Sequence, residues 1–72
     1  MQHVPVVSSS LASVAYDPLS WVLEVRFRRG GRYRYYGVAP HLYQQLLHAD
    51  SKGQFFNRYV KDSYRYSRQD AL

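Results

Sequence analysis

The run from Trp21 to Val38, WVLEVRFRRGGRYRYYGV, decides the fold. Trp21, Leu23, Val25 and Phe27 alternate with Val22, Glu24, Arg26 and Arg28, the period-2 pattern of a half-buried strand. Beyond Gly30-Gly31 the alternation resumes with Arg32, Tyr33, Arg34 and Tyr35, so the two runs read as a β-hairpin. This stretch holds five of the eight arginines, and Glu24 is its only acid. Its turn decides which side chains meet water. A two-residue Gly30-Gly31 loop pairs Arg28 with Tyr33 and leaves Tyr33 and Tyr35 on the face of Arg26 and Arg28. A three-residue loop, Arg29-Gly30-Gly31 with Gly31 left-handed, moves the pairing by one. Phe27 then opposes Tyr33 and Val25 opposes Tyr35 on a core face. On the other face Arg28 opposes Arg32, Arg26 opposes Arg34 and Glu24 opposes Tyr36. A slip of one residue flips every side chain, and burial of the apolar set favours the second register.

Upstream, Val14 and Tyr16 alternate within a first strand over Leu11 to Tyr16. Leu11 falls out of phase, which predicts a bulge there. Asp17-Pro18-Leu19-Ser20 carries a type I turn signal and joins this strand to Trp21 as an antiparallel meander. Met1 to Ser10 is an irregular lead-in containing Pro5 and Ser8-Ser9-Ser10. Downstream, Pro40 suits the first position of a helix that runs to about Ala49, with Leu42, Tyr43, Leu46 and Leu47 as its apolar stripe. Ser51-Lys52-Gly53-Gln54 matches a capping box and opens a second helix ending near Asp62, with Phe55, Phe56, Tyr59 and Val60 facing the core. Tyr64 and Tyr66 then alternate with Arg65 and Ser67, as a short added strand or as a tail over the core. The last four residues are expected to fray. The fold class is α+β: a three-stranded antiparallel meander followed by two helices, in two layers.

Seventy-two residues allow one domain with a thin core, ordered over about residues 4–68. Eight tyrosines, three phenylalanines and a tryptophan supply bulk that so short a chain otherwise lacks. The absence of cysteine excludes disulfides and thiolate metal sites. No apolar run reaches bilayer-spanning length, and no leader pattern opens the chain, so a cytoplasmic location is the expectation. The net charge of +5 points to anionic partners, nucleic acid first.

Ser8-Ser9 ahead of Tyr16-Asp17, then Phe27, Gly30, Tyr33-x-Tyr35 and Gly37-Val38, then Ala49-x-Ser51-x-Gly53-x-Phe55-Phe56-Asn57, together resemble the KTSC domain. That family is named for its occurrence at the C-terminus of some lysyl-tRNA synthetases, and it also occurs as a stand-alone small bacterial protein. The resemblance runs from about Val4 to Tyr66. One departure is Ala15, where the family usually has glycine. The resemblance implies a domain of unassigned biochemical role. It also suggests RNA binding, through the synthetase context, and carries no catalytic residue over.

Two candidate sites follow from the residues. Arg26, Arg28, Arg32 and Arg34, with Tyr36 beside them, have the makings of a nucleic-acid face, since guanidinium groups grip phosphates and an exposed ring stacks a base. The competing readings are a solvated face whose arginine stems cover apolar surface, or a face roofed by a helix. At the start of the second helix Ser51, Lys52 and Gly53 offer N–H groups and a cation to an anion, and Arg58 extends that site. There the competing reading is simple capping, with Gly53 needed for close chain approach. Asn57 could read a base edge, against the competing reading that it hydrogen-bonds the adjacent loop or the chain near Tyr64. His41 and His48 lie about 11 Å apart along one helix, too far to share a metal, and no cofactor is expected. No nucleophile elbow, carboxylate pair or glycine-rich phosphate loop is present, so a non-enzymatic binding module is expected. Its partner is RNA or another single-stranded nucleic acid, or alternatively a protein, including a second copy paired through an open sheet edge.

Overall fold

The computed structural model describes residues 1–70. One antiparallel sheet takes its strands in chain order: β1 (Val4–Pro5), β2 (Leu11–Asp17), β3 (Val22–Phe27), β4 (Arg32–Tyr36) and β5 (Tyr66–Arg68). Helices α1 (Pro40–His48) and α2 (Lys52–Tyr59) fall between β4 and β5 in the chain. The three-stranded meander, the two helices and the two-layer α+β architecture are as the sequence predicts. The tail resolves as a strand, with Tyr66 opposite Tyr35 and Arg68 opposite Tyr33. Strand β1 was not anticipated. It pairs Val4 with Val14 and Pro5 with Ser13, and Pro5 is tolerated because it lies on an edge strand. Both sheet edges are therefore short strands.

The hairpin keeps its predicted faces but not its register. Val25 opposes Tyr33, Leu23 opposes Tyr35, Arg26 opposes Arg32, Glu24 opposes Arg34 and Val22 opposes Tyr36. The loop is Arg28-Arg29-Gly30. Gly30 N–H donates to Phe27 O at 3.0 Å, Phe27 N–H donates to Gly31 O at 3.0 Å, and Gly30 is left-handed at φ +110°. This is a three-residue turn one position earlier than expected, and it slips the pairing by two, which preserves every face. Charge explains the preference. The expected register set two like-charge pairs, Arg26 against Arg34 and Arg28 against Arg32, whereas the observed one keeps only Arg26 against Arg32 and sets Glu24 against Arg34, and opposite charges across a strand pair are favoured.

Strand β3 begins at Val22, one residue later than the alternation suggested. The Asp17 carboxylate accepts from Leu19 N–H at 2.9 Å and from the Ser20 hydroxyl at 2.7 Å, and this clasp leaves Trp21 in the loop at φ +57°. Trp21 is 46% exposed rather than in the core. A left-handed conformation costs an ordinary residue roughly 1–2 kcal/mol, and the Trp21 carbonyl is pinned by Val38 N–H at 2.9 Å. The bulge predicted at the start of β2 is present: Leu11 opposes Phe27 while Ser13 opposes Arg26, so Ala12 is the extra residue.

Val14, Leu23, Val25 and Tyr35 on one sheet face pack with Leu11, Val38, Leu46, Phe56 and Val60 to form the core. Phe56 meets Phe27 and Tyr35 edge-on, with ring centroids 5.5 and 5.1 Å away. Tyr16 stacks on Tyr43 at 4.6 Å and donates its hydroxyl to Val38 O at 2.5 Å. Both helices lie on this face. The Ser51 hydroxyl accepts from Gln54 N–H at 3.3 Å, as the capping box requires. Of the second predicted stripe, Phe56 and Val60 are buried, while Tyr59 turns outward against Phe55. Gln69 N–H donates to Arg32 O at 2.7 Å, and Asp70 accepts from Arg32 N–H and from Arg68. Gln69 and Asp70 are thus tied to the sheet rather than frayed, and Ala71 and Leu72 lie outside the described residues.

Candidate nucleic-acid interface

The sheet face opposite the helices carries Arg26, Arg32, Arg34, Tyr36 and, at its centre, Glu24. Glu24 is 3% exposed, roofed by His3 and Arg34. His3 Nε2 donates to Glu24 Oε2 at 2.5 Å, and Arg34 Nε donates to Oε1 at 2.8 Å. The other ring nitrogen of His3 lies 2.8 Å from the Ser13 hydroxyl. Burial pushes the Glu24 carboxyl up, but the hydrogen bonds from His3 and Arg34 and the Arg34 charge outweigh it and hold the group below its ordinary value. The same bond to Glu24 pushes the Arg34 guanidinium up. Arg32 reaches Gln69 O at 3.5 Å, and its Nε is buried without a partner among the described residues. The Tyr36 hydroxyl shares a hydrogen bond with Ser67 at 2.6 Å. Arg26 is exposed and makes no side-chain hydrogen bond among the described residues, and it faces Arg32 directly.

The remaining predicted residues lie elsewhere. Arg28 does not oppose Arg32; it sits in the hairpin turn, where its Nε donates to Ser8 O at 2.5 Å. Lys52 donates its ammonium to Ala49 O at 3.0 Å, and a Cβ on Gly53 would stand 2.5 Å from the Ser10 hydroxyl. The Ser8–Ser10 turn thus packs over the start of α2, beside the Ser51 cap. Arg58 is exposed on α2, its guanidinium carbon 5.5 Å from the Tyr59 ring centre. The four residues of the open face are brought together, and Lys52 and Arg58 are on the helix layer behind it.

On that helix side the structure opens a cleft of about 780 Å³. Phe27, Tyr33, Tyr35, Phe56 and Tyr66 line it with rings, and Ser9, Ser10 and Asn57 add polar groups. Arg28, Arg29 and Lys61 bring positive charge to its lining, against the single carboxylate of Asp62. Tyr66 is 61% exposed, its ring 5.7 Å from Tyr35 and 5.9 Å from Tyr33. Tyr35 is 4% exposed, and burial, with Tyr33, Tyr66 and Asp62 nearby, pushes its hydroxyl up to about 12.

The sequence matches the KTSC domain over residues 7–64. The chain belongs to the KTSC domain family. A crystal structure of a KTSC domain protein from Yersinia pestis superposes with a TM-score of 0.94 at 38% identity, covering 96% of this chain and 97% of that one. An uncharacterised protein of Stutzerimonas stutzeri is 49% identical over 71 residues, covering 97% of this chain and all of its own. A lysine–tRNA ligase of Nostoc punctiforme is 30% identical over 60 residues, 83% of this chain but only 11% of the ligase. Among the described residues no helix is long and apolar enough to cross a membrane, and no three His, Cys, Asp or Glu gather as a metal site.

Phe27, Gly30, Tyr33, Tyr35, Phe56 and Asn57, on which the KTSC resemblance was read, all line the cleft. Arg29, Lys61 and Tyr66 were not among the predicted site residues. The cleft is assembled from segments near residues 9, 28, 34, 56 and 66, so no local pattern announces it. Asn57 makes no side-chain hydrogen bond among the described residues and sits exposed at the cleft instead of bonding the chain near Tyr64.

Proposed function

We propose that this KTSC domain binds single-stranded nucleic acid, RNA foremost, through the open face of its arginine-rich hairpin. The observation that carries this reading is the direct opposition of Arg26 and Arg32 on a sheet face without a helix. Like charges facing each other across strands cost stability, and a phosphate between them relieves that cost while releasing counterions. Arg34 is partly neutralised by Glu24, which leaves Arg26 and Arg32 as the principal phosphate contacts. The domain's match to a segment of lysine–tRNA ligases is consistent with an RNA partner.

The test is fluorescence anisotropy with a labelled single-stranded RNA across a salt series. Affinity should fall as salt rises, and Arg26→Ala should weaken binding while reducing the log–log salt slope by about 0.7 for a lost phosphate contact. The exposed position of Arg26 makes this substitution harmless to the fold. Affinity that is indifferent to salt, or unchanged in Arg26→Ala, refutes the assignment.

A further inference from the structure

The helix-side cleft has no part in the reading above, and its composition is that of a ligand site. Its volume of about 780 Å³ falls within the range of small-molecule pockets, roughly 300–1,000 Å³. Three features narrow the ligand. The first is the ring of Tyr66, which lines the cleft, is 61% exposed and leans on Tyr35 and Tyr33 at 5.7 and 5.9 Å, leaving aromatic surface on which a flat ring can stack. The second is the Tyr35 hydroxyl. Tyr35 is 4% exposed and lines the cleft, yet its hydroxyl has no hydrogen-bond partner among the described residues. The hydroxyl is not among the sealed, unpartnered side-chain atoms of the described residues, so it opens into the cleft, and a guest that displaces its water must supply a partner. Held up near 12 by burial, it remains a proton donor at neutral pH. The third is charge: Arg28, Arg29 and Lys61 against Asp62 leave the cleft lining with a net +2. Arg29 and Lys61 make no side-chain hydrogen bond or ion pair among the described residues, so both are free for an anion. A purely apolar guest leaves the Tyr35 hydroxyl unsatisfied, and a bare phosphate leaves the rings uncovered. A flat heterocycle carrying hydrogen-bonding edges and a phosphate meets all three.

We propose that this cleft binds a single nucleotide unit. Its base stacks on Tyr66 and turns its edge to Asn57 and the Tyr35 hydroxyl, and its phosphate lies against Arg28, Arg29 and Lys61. The unit is either a free mononucleotide or the phosphorylated end of an RNA strand. Asn57 suits the base edge because its amide both donates and accepts. The site uses no glycine-rich loop, which is why no phosphate-binding motif marks it in the sequence.

The experiment is an amide-resolved NMR titration of the full chain with AMP, CMP, GMP and UMP, with ribose 5-phosphate and inorganic phosphate as partial ligands. A short RNA, with and without a 5′-phosphate, distinguishes the sources. At least one mononucleotide should give saturable shifts at residues 28–30, 57, 61 and 66, with a dissociation constant between about 10 µM and 1 mM. Ribose 5-phosphate and phosphate should bind several-fold more weakly. Tyr35→Phe keeps the ring and removes the hydroxyl, and should weaken the mononucleotide about three- to tenfold. Arg29→Ala and Asn57→Ala alter only exposed side chains and should each weaken it measurably without changing the thermal melt. Tighter binding of the phosphorylated RNA than of any mononucleotide identifies a strand end as the source, and the reverse order identifies a free nucleotide. The inference is overturned if phosphate alone matches the nucleotides, if the shifts fall outside the cleft, or if Tyr35→Phe binds as tightly as the parent. The site stands on the other side of the sheet from Arg26. Cleft binding that survives Arg26→Ala, with no RNA on the open face, sustains it while refuting the hairpin reading, and the opposite result does the converse.

Discussion

Glu24→Gln tests the polar centre of the sheet most directly. The carboxylate is 3% exposed and accepts two charge-assisted hydrogen bonds, from His3 and from Arg34. Glutamine has the same shape but one acceptor oxygen and no charge; with its oxygen toward Arg34, its N–H groups are met by His3 Nε2 only in the other ring tautomer, and neither bond keeps an anionic acceptor. Trading two charge-assisted bonds for neutral ones costs about 1.5–3 kcal/mol. Arg34, whose side chain is 39% exposed, can turn to water and recover part of that, which leaves a net loss of about 2 kcal/mol at pH 7. Against a total of about 4–11 kcal/mol for a chain of this length, the loss is large, and it lowers the melting temperature by roughly 8–16 °C. The sign with pH follows from the depressed carboxyl. Its contribution is complete above the ordinary value of 4.5 and is lost as pH falls through the lower folded-state value. Urea titrations followed by circular dichroism should therefore give Glu24→Gln a lower midpoint at pH 7 with an unchanged slope, and the gap to the parent should narrow progressively as pH falls below 4.5. Equal midpoints at pH 7, or a gap equally wide at pH 2.5, would refute the argument.

Gly30→Ala should cost about 1 kcal/mol in a thermal or urea melt, because at φ +110° the strain is purely backbone and nothing lies within 4 Å of the added carbon. Tyr16→Phe removes the hydrogen bond to Val38 O while keeping the stack on Tyr43, and a loss of about 1 kcal/mol is expected; an unchanged melt contradicts that bond. Gly53→Ala should be destabilising alone, since its Cβ meets the Ser10 hydroxyl at 2.5 Å and the Ser8–Ser10 turn must shift, and most of that loss should vanish in a Ser10→Gly background, where the nearest remaining atom is the Ser8 hydroxyl at 3.4 Å. A double-mutant cycle that closes additively rejects the contact.

The elements with a strong internal rhythm were legible. Alternation marked β2, β3 and β4, the Ser51 cap and Pro40 marked the helix starts, and the misplaced Leu11 announced its bulge. What failed were assignments that depend on a partner distant in the chain. Trp21 continued the alternation of β3 on paper, yet the Asp17 clasp pulled it into the loop. The hairpin slipped by two because Arg34 answers Glu24, a preference invisible to face-by-face counting. Strand β1 has two residues and owes its existence to the edge of β2. For the candidate interface, the grouping of Arg26, Arg32, Arg34 and Tyr36 was legible because period 2 dictates it. Arg28 and Arg29 were misplaced or passed over because the turn position decides where they point.

The sequence by itself determined the family, the α+β order of elements and which residues share each sheet face, since periodicity, caps and turn residues act within a few positions of the chain. Only the tertiary structure decided the hairpin register, the burial of Glu24 beneath His3 and Arg34, and the cleft that gathers Arg29, Tyr35, Asn57, Lys61 and Tyr66. Those depend on charge pairs and packing between residues ten to forty positions apart, which no local pattern encodes.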